Sequence, residues 1–157
     1  MDLDAIEANI FSDDLTDNAE FSDIGYLMAL TGSVEVNKHA ISRFKNQLGE
    51  NGAFRLITPE EMKNNEMAPT ETLFSKKDDY INLIEVARDY PKINEIPLKS
   101  KAHFLKEINK LNGEKDAIPL FIKNNEGVIH IIGSYNDEMK IEEGYQLIYL
   151  GKPLELI

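Results

Sequence analysis

The segment Ile24–Asn37, which reads IGYLMALTGSVEVN, predicts a buried strand that leads directly into the start of a helix. The run from Ile24 to Leu30 is almost continuously apolar, which is typical of a strand covered on both faces of a parallel α/β sheet. Ser33 follows a polar turn and can cap a helix by accepting a backbone N–H bond. Because ligand sites in open α/β sheets lie at the carboxyl ends of strands, this turn is the first candidate for a functional site.

The pattern of strands and helices divides the chain into two parts near Tyr90-Pro91. Before this boundary strands and helices alternate, which implies a parallel sheet, whereas the second part clusters its strands and predicts a small α+β unit with an antiparallel hairpin. The predicted elements are strand 24–31, helix 34–48, strand 53–58, a short helix begun by the capping box Thr58–Glu61, a short strand at 72–74, helix 77–89 marked by Tyr80, Ile81, Ile84 and Ala87, strand 93–98, a helix capped by Ser100 and ended by Gly113, and strands 117–123, 128–132 and 145–150 with a turn at Asn124–Gly127.

The chain carries a formal net charge of −11, and this charge is unevenly distributed. Such an acidic chain lacks the basic residues that nucleic acids and anionic membrane surfaces require. No basic residue precedes Lys38, whereas lysines cluster between Lys92 and Lys115. Two solvated faces explain this asymmetry; the alternative is an acidic arm that docks on a basic partner or on the basic helix. With no cysteine and no apolar run of about 20 residues, we expect a soluble chain without disulfides, signal peptide or membrane insertion.

Three segments resemble the cytoplasmic C-terminal region of bacterial monovalent cation:proton (Na+/H+) antiporters. Ile24–Asn37 is similar to a strand, turn and helix of that family and departs from it at Gly32-Ser33. Asp116–Ile122 and Gly144–Gly151 are similar to two of its later strands, with Tyr145 at a position where an aspartate is usual.

The resemblance implies an α/β fold with a partial, Rossmann-like parallel sheet. Residues 1–90 would form a truncated unit of the RCK/KTN type, and residues 91–157 a small, β-rich, RCK-C-like subdomain. It also implies a regulatory domain on the cytoplasmic side of the cell membrane, attached to the transporter portion of the same parent chain.

Carried over from the family, Asp13, Thr31 and Gly32 would border a nucleotide or an ion. The alternative for these positions is a solvated turn. The glycine-rich loop G-x-G-x-x-G, which lets backbone N–H groups approach a pyrophosphate, is absent, so we expect no tightly bound nucleotide cofactor.

No catalytic or metal-binding pattern emerges from the remaining polar residues. His39 and His103 lie off the apolar stripes of their helices and are expected to be exposed, whereas His130 is expected to be partly buried. The paired acids Asp13/Asp14, Asp78/Asp79 and Glu142/Glu143 are expected on solvated faces. We therefore expect a protein that is not an enzyme.

The helix at 34–48 presents an apolar stripe of Val36, Ala40, Phe44 and Leu48. A parallel sheet without its first strands would also expose an edge at Ile24–Leu30, and exposed edges favour pairing. We therefore expect a homodimer with this stripe in the interface. The preferred function is a regulatory domain of an antiporter; the alternatives are a nucleotide-dependent oxidoreductase fragment and a protein-interaction domain.

Overall fold

The described part of the chain forms a parallel sheet and then an antiparallel sheet, in the order that the sequence pattern predicts. A computed structural model describes residues 5, 7–12, 25–48, 52–64, 70–75, 78–133 and 139–154. The fold is mixed α/β, with a two-stranded parallel sheet and its helix followed by a four-stranded antiparallel sheet with helices. The elements are β1 (Leu27–Ala29), α1 (Val34–Leu48), β2 (Ala53–Arg55), α2 (Pro59–Asn64), α3 (Tyr80–Asp89), β3 (Ile93–Pro97), α4 (Lys101–Gly113), β4 (Ala117–Lys123), β5 (Ile129–Ile131) and β6 (Gln146–Gly151).

The first sheet confirms parallel pairing, with Met28 of β1 opposite Phe54 of β2. The solvent exposure of β1 and its neighbours differs from the prediction, because Tyr26, Met28 and Leu30 are between 37% and 40% exposed. The prediction of a strand covered on both faces is therefore wrong. Parallel sheets are normally buried on both faces, and here α1 packs on the β1–β2 pair while alternate side chains of β1 face outward.

The central residues of the apolar stripe of α1 are buried in the core of the chain. Phe44 is 3% exposed and Ala40 is 6% exposed, whereas Val36 and Leu48 are half-buried. Ser33 caps the helix as predicted, with its Oγ accepting from the N–H of Val36 at 3.3 Å. The proposed dimer interface on this stripe thus has little free surface at its two central residues, and the homodimer stays a prediction.

Residues 70–75 connect the two sheets. The N–H of Leu73 donates to the carbonyl oxygen of Arg55 in β2 at 2.9 Å, and the N–H of Phe74 donates to that of Ile132 at 2.8 Å, just after β5. Phe74 has a positive φ of 62°, an unusual backbone conformation for a bulky residue, and its side chain is buried. The short strand predicted at 72–74 is thus a pair of isolated bridges, one to each sheet.

The second sheet has the order β3-β6-β4-β5, with all pairs antiparallel, and it carries a core on each face. One face packs on α4, whose N-terminus Ser100 caps as predicted. The other face packs on α3 and on residues of the first part. Pro119 lies beside a shift of register between Pro119 and Phe121, and irregular positions of this kind are where strands accommodate proline. The first core contains Ile96, Leu98, Phe104, Ile108, Leu111, Ala117, Ile122, Ile132, Ile141, Leu147 and Tyr149, and the second contains Phe54, Leu56, Leu73, Phe74, Val86, Ile118, Leu120 and Ile131.

Helix α3 turns a different face inward from the one its sequence suggests. Val86 is 3% exposed and Leu83 is half-buried, so these residues form the packing face. The four residues that mark the helix in the sequence are all exposed: Tyr80, Ile81, Ile84 and Ala87. The helix is apolar on two sides, and contact with the antiparallel sheet selects one of them.

The boundary predicted near Tyr90 falls in the connection between α3 and β3. The second core nevertheless combines Phe54 and Leu73 of the first part with Ile118 and Leu120 of the second. Packing thus crosses the boundary, and the separability of residues 1–90 and 91–157 stays a prediction.

Candidate functional site at the carboxyl edge of the parallel sheet

The carboxyl ends of β1 and β2 lie side by side, and polar residues follow both strands. In an α/β sheet this edge is where ligands bind, because turns and helix N-termini converge there. After β1 comes the turn Leu30–Ser33, and after β2 come Leu56–Thr58 and the start of α2. The edge therefore contains two of the three predicted site residues, Thr31 and Gly32. Asp13 lies outside the described residues.

Thr31 is held by the side chain of Asn37 from the first turn of α1. The Thr31 N–H and hydroxyl donate to Asn37 Oδ1 at 3.1 and 2.7 Å, and Asn37 Nδ2 donates to the Thr31 carbonyl oxygen at 2.9 Å. Asn37 is 2% exposed whereas Thr31 is exposed, so the clamp holds the turn from its buried side. The N–H of Ser33 donates to Thr31 Oγ1 at 3.2 Å. The polar atoms of the turn are thus used to close the turn itself.

The ring of Tyr80, at the N-terminus of α3, lies beside Gly32, which is itself exposed. A Cβ atom at Gly32 would lie 3.1 Å from Tyr80 Cδ1, a tight contact that a small shift of the partly exposed Tyr80 ring would relieve. The structure thus brings Thr31 and Gly32 together on an exposed turn that the Tyr80 ring flanks on one side.

An ion cluster forms at this edge around the buried side chain of Arg55, the last residue of β2. The side chain of Arg55 is 3% exposed, and its Nη1 and Nη2 donate to the two carboxylate oxygens of Glu61 at 3.0 Å each. Arg55 Nε donates to Glu71 at 3.2 Å, and Lys38 Nζ of α1 lies 3.1 Å from Glu61. A bidentate pair of this kind is geometrically specific and strong.

The carboxyl group of Glu61 has a lowered pKa, although burial acts to raise it. Burial works to raise the pKa of its carboxyl group, but hydrogen bonds from Arg55, from the Thr58 backbone and from Lys38, together with the charge of Arg55, lower that pKa to about 2. Glu61 accepts from the Thr58 N–H at 3.1 Å while Thr58 Oγ1 accepts from the Glu61 N–H at 3.2 Å, which confirms the predicted capping box. The same carboxylate therefore caps α2 and binds Arg55.

The cluster has little capacity for chemistry. The charges of Arg55, Lys38, Glu61 and Glu71 cancel, so this group offers no excess positive charge to bind phosphate. A general acid or base works best with a pKa near the working pH, and a carboxyl group with a pKa of about 2 is far from that range. Sequence reasoning identified Thr58 and Glu61 as a cap but missed Arg55; the available signal was a single arginine inside the apolar stretch Ala53–Ile57.

The solvent exposure of the three histidines differs in part from the predictions. The predictions that His39 and His103 are exposed are wrong, because both are half-buried. His39 lies 4.5 Å from the Phe11 ring, and Arg43 donates to the Ile10 carbonyl oxygen, so residues 10–11 lie on α1. His103 is placed one helical turn from Glu107, at 3.5 Å. His130 is half-buried, as predicted.

Asp78 and Asp79 do not share a solvated face. Asp78 is 1% exposed and accepts from Asn82 Nδ2 at 2.9 Å, so the prediction of a solvated position is wrong for it. Asp79 caps α3 by accepting from the Asn82 N–H at 2.9 Å. For Glu142 and Glu143 the prediction of exposure is confirmed.

Two clefts of about 290 Å³ each lie away from this edge, one against α3 and one beside the end of β6. Neither includes Thr31 or Gly32. Within the described ranges, no group of three His, Asp or Glu residues is arranged to hold a metal ion. In the same ranges, no helix has the length and apolar character needed to cross a membrane.

Comparison with known proteins gives no further assignment. No protein-family model, curated protein sequence or solved structure matches this chain.

Proposed function

We propose that this chain is a regulatory domain of a membrane cation:proton antiporter, and that it acts by passing the state of a ligand or partner to the transporter. In this proposal the first part is a truncated Rossmann-like unit of the RCK/KTN type and the second an RCK-C-like unit. The support comes from the resemblance of three segments and from an element order that suits it, with a parallel strand–helix–strand followed by an antiparallel sheet.

One observation carries the choice of a regulatory role over a catalytic one. The polar groups at the carboxyl edge of the parallel sheet are engaged with one another: Arg55 with Glu61 and Glu71, and Thr31 with Asn37. At the same time, apolar side chains remain exposed on α3 and β1. This combination favours function through contact with another polypeptide, because it offers surface for packing but few free groups for chemistry.

The oxidoreductase alternative requires a nucleotide, and the residues present do not fit one. The N–H groups of Ser33 and Val36, at the start of α1, already donate to side chains within the turn, and the Tyr80 ring lies beside Gly32. Pyrophosphate binding needs such donors free at a helix N-terminus. We expect isothermal titration calorimetry with NADH and with ATP to detect weak binding or none. A low-micromolar dissociation constant, about −8 kcal/mol, would contradict this expectation.

The antiporter assignment is tested on the parent protein. The reading frame upstream of Met1 is expected to encode about a dozen apolar segments of about 20 residues each. Proton flux in inverted membrane vesicles is then compared between the parent and a version that lacks residues 1–157. We expect exchange to persist with an altered dependence on pH or cation concentration. An upstream frame without apolar segments, or identical flux profiles, would refute the assignment.

A protein-interaction domain without a transporter is the second candidate, and the exposed Ile81 and Ile84 favour it. The vesicle experiment separates the two, because only the regulatory domain predicts altered exchange upon deletion. Both candidates require a contact surface, which the exposed face of α3 supplies.

A further inference from the structure

The N-terminal segment, residues 7–12, is held on α1 by one hydrogen bond and one ring contact. Arg43 Nη1 donates to the Ile10 carbonyl oxygen at 2.8 Å. The ring centroids of Phe11 and His39 lie 4.5 Å apart, with the two planes tilted by 39°. His39 and Arg43 are one helical turn apart, so both contacts lie on the same side of α1.

The ring contact accompanies a buried polar atom that lacks a hydrogen bond. His39 Nε2 is buried and has no hydrogen-bond partner among the described residues. The neighbouring surface of α1 is nevertheless open to water, because Glu35, Lys38 and Ser42 are all exposed. The cover over His39 is therefore best explained by the docked segment, whose Phe11 ring lies against the imidazole.

A buried nitrogen without a partner has different consequences in the two protonation states of histidine. In the neutral ring one nitrogen is an acceptor that carries neither a proton nor a charge. In the protonated ring both nitrogens are charged donors, and burying a charged donor without an acceptor or water is strongly unfavourable. Histidine is also the side chain whose ordinary titration falls between about pH 5 and pH 8. Docking of the segment thus disfavours the protonated form of His39.

We propose that residues 7–12 form a latch on α1 that mild acid releases, with His39 as the group that responds to pH. Above neutral pH the uncharged ring of His39 packs against Phe11 while Arg43 holds the Ile10 carbonyl oxygen. As the pH falls, the protonated ring needs water at Nε2, which the docked segment excludes. The released state therefore binds one more proton than the docked state. The ratio of docked to released chains then falls by up to about tenfold per pH unit over the range in which histidine titrates.

The charged groups around His39 do not supply the missing acceptor. Arg43, one turn after His39, opposes a second positive charge there. Glu35, one turn before, favours that charge, but its carboxylate is exposed and accepts from Ser33 Oγ at 3.2 Å. The Phe11 ring attracts a cation through its π electrons, yet such a contact is weak at an exposed site and gives Nε2 no hydrogen bond. The other titratable groups described on the surrounding elements are Lys38 on α1, Glu7 on the segment, Tyr26 before β1 and Arg55 on β2.

Two of these groups are already engaged elsewhere. Lys38 Nζ lies 3.1 Å from Glu61, and Arg55 binds Glu61 and Glu71.

The mobility of a spin label on the segment tests the latch in the whole chain. The chain has no cysteine, so Ser12→Cys introduces a single thiol for the label. Ser12 is half-buried and its N–H donates to the Asn9 carbonyl oxygen at 2.9 Å, so a label there follows the segment. Electron paramagnetic resonance is recorded from about pH 8 to about pH 5.5, and circular dichroism verifies that the chain stays folded. We expect the ratio of mobile to immobilised label to rise about tenfold over this range.

Three substitutions in the labelled chain separate the roles of the residues. His39→Gln keeps a polar side chain that does not titrate, so the label should stay immobilised down to about pH 5.5. Arg43→Gln removes the guanidinium that holds Ile10, so the mobile fraction should rise at every pH. His103→Gln is the matched control, because His103 is also half-buried on a helix but lies on α4; it should keep the full response to pH. The latch does not depend on the antiporter assignment, because every measurement uses the isolated chain.

The outcomes of these measurements either support the latch or overturn it. A label whose mobility is the same at both ends of the pH range overturns it. So does a label that acid immobilises further, because the attraction between the Phe11 ring and a charged His39 would then dominate. A response that persists in His39→Gln or disappears in His103→Gln also contradicts the assignment to His39, and an unchanged label in Arg43→Gln contradicts the anchor. Release in acid that is lost in His39→Gln and kept in His103→Gln supports the proposal.

Discussion

Replacing Glu61 by glutamine tests the ion cluster around Arg55 and its contribution to stability. Glutamine keeps the shape of the side chain and can still accept the Thr58 N–H bond, but it removes the negative charge that binds Arg55. Arg55 is 3% exposed and keeps Glu71 as its charged partner among the described residues. Lys38 also loses its contact with Glu61. The substitution therefore separates the charge of Glu61 from its capping role.

The magnitude follows from the pKa of Glu61, which is lowered from 4.5 to about 2 in the folded chain. At about 1.36 kcal/mol per pKa unit, this difference corresponds to about 3 kcal/mol of stability at neutral pH. The Glu61 side chain is 16% exposed, so water screens part of the interaction and we expect a loss of about 2 kcal/mol. With a urea slope of about 2 kcal/mol per molar, the unfolding midpoint should fall by about 1 M.

The stability that Glu61 contributes is expected to fall as the pH is lowered. A carboxyl group whose pKa is lowered by folding stabilises the fold fully above its unfolded pKa of about 4.5 and loses that contribution as the pH falls towards 2. The difference between wild type and Glu61→Gln is therefore largest at pH 7 and shrinks below about pH 4.5.

Urea unfolding followed by circular dichroism measures this difference. Glu142→Gln is the control, because it removes the same charge from an exposed pair with Lys140 and should leave the midpoint unchanged. Equal midpoints for wild type and Glu61→Gln at pH 7 would refute the reasoning. So would a difference that stays constant as the pH is lowered to about 3, because the contribution of Glu61 depends on its ionisation.

Two further changes test the turn after β1 and the end of β6. Asn37→Ala removes the clamp on Thr31 and should lower the free energy of unfolding by about 2 kcal/mol, because it deletes several partly buried hydrogen bonds; an unchanged urea midpoint would show that water replaces them. Gly151→Ala should destabilise by about 3 kcal/mol or more, because its φ is 132° and a Cβ atom there would collide with the carbonyl oxygen of Asp116. Gly127→Ala is its control: φ is 84° but the space is open, so a loss of about 1 kcal/mol is expected, and equal losses at the two glycines would contradict the steric argument.

Features set by neighbouring residues could be predicted from the sequence. The capping box at Thr58–Glu61 and the caps at Ser33 and Ser100 depend on residues three positions apart, and the structure confirms all of them. The strands of the second part and the turn at Asn124–Gly127 could also be predicted. Strands and turns leave local signals in the sequence, and Gly127 has the positive φ that the turn requires.

Features set by distant contacts could not be predicted. The side chains that mark α3 in the sequence face solvent, because packing on the antiparallel sheet uses Val86 instead. The burial of Asp78 likewise depends on tertiary packing around the start of α3. Arg55 finds its partners six and sixteen residues away, at Glu61 and Glu71, and no periodicity links these positions.

The segment 70–75 has a mechanical consequence. Its backbone bonds to β2 on one side and to the end of β5 on the other, so an unbroken series of hydrogen bonds runs from β1 through both sheets to β3. Separating the two sheets therefore requires breaking the backbone hydrogen bond of Leu73 or that of Phe74. Two adjacent residues thus couple the opening of one sheet edge to that of the other, and one of them, Phe74, has an unusual backbone conformation.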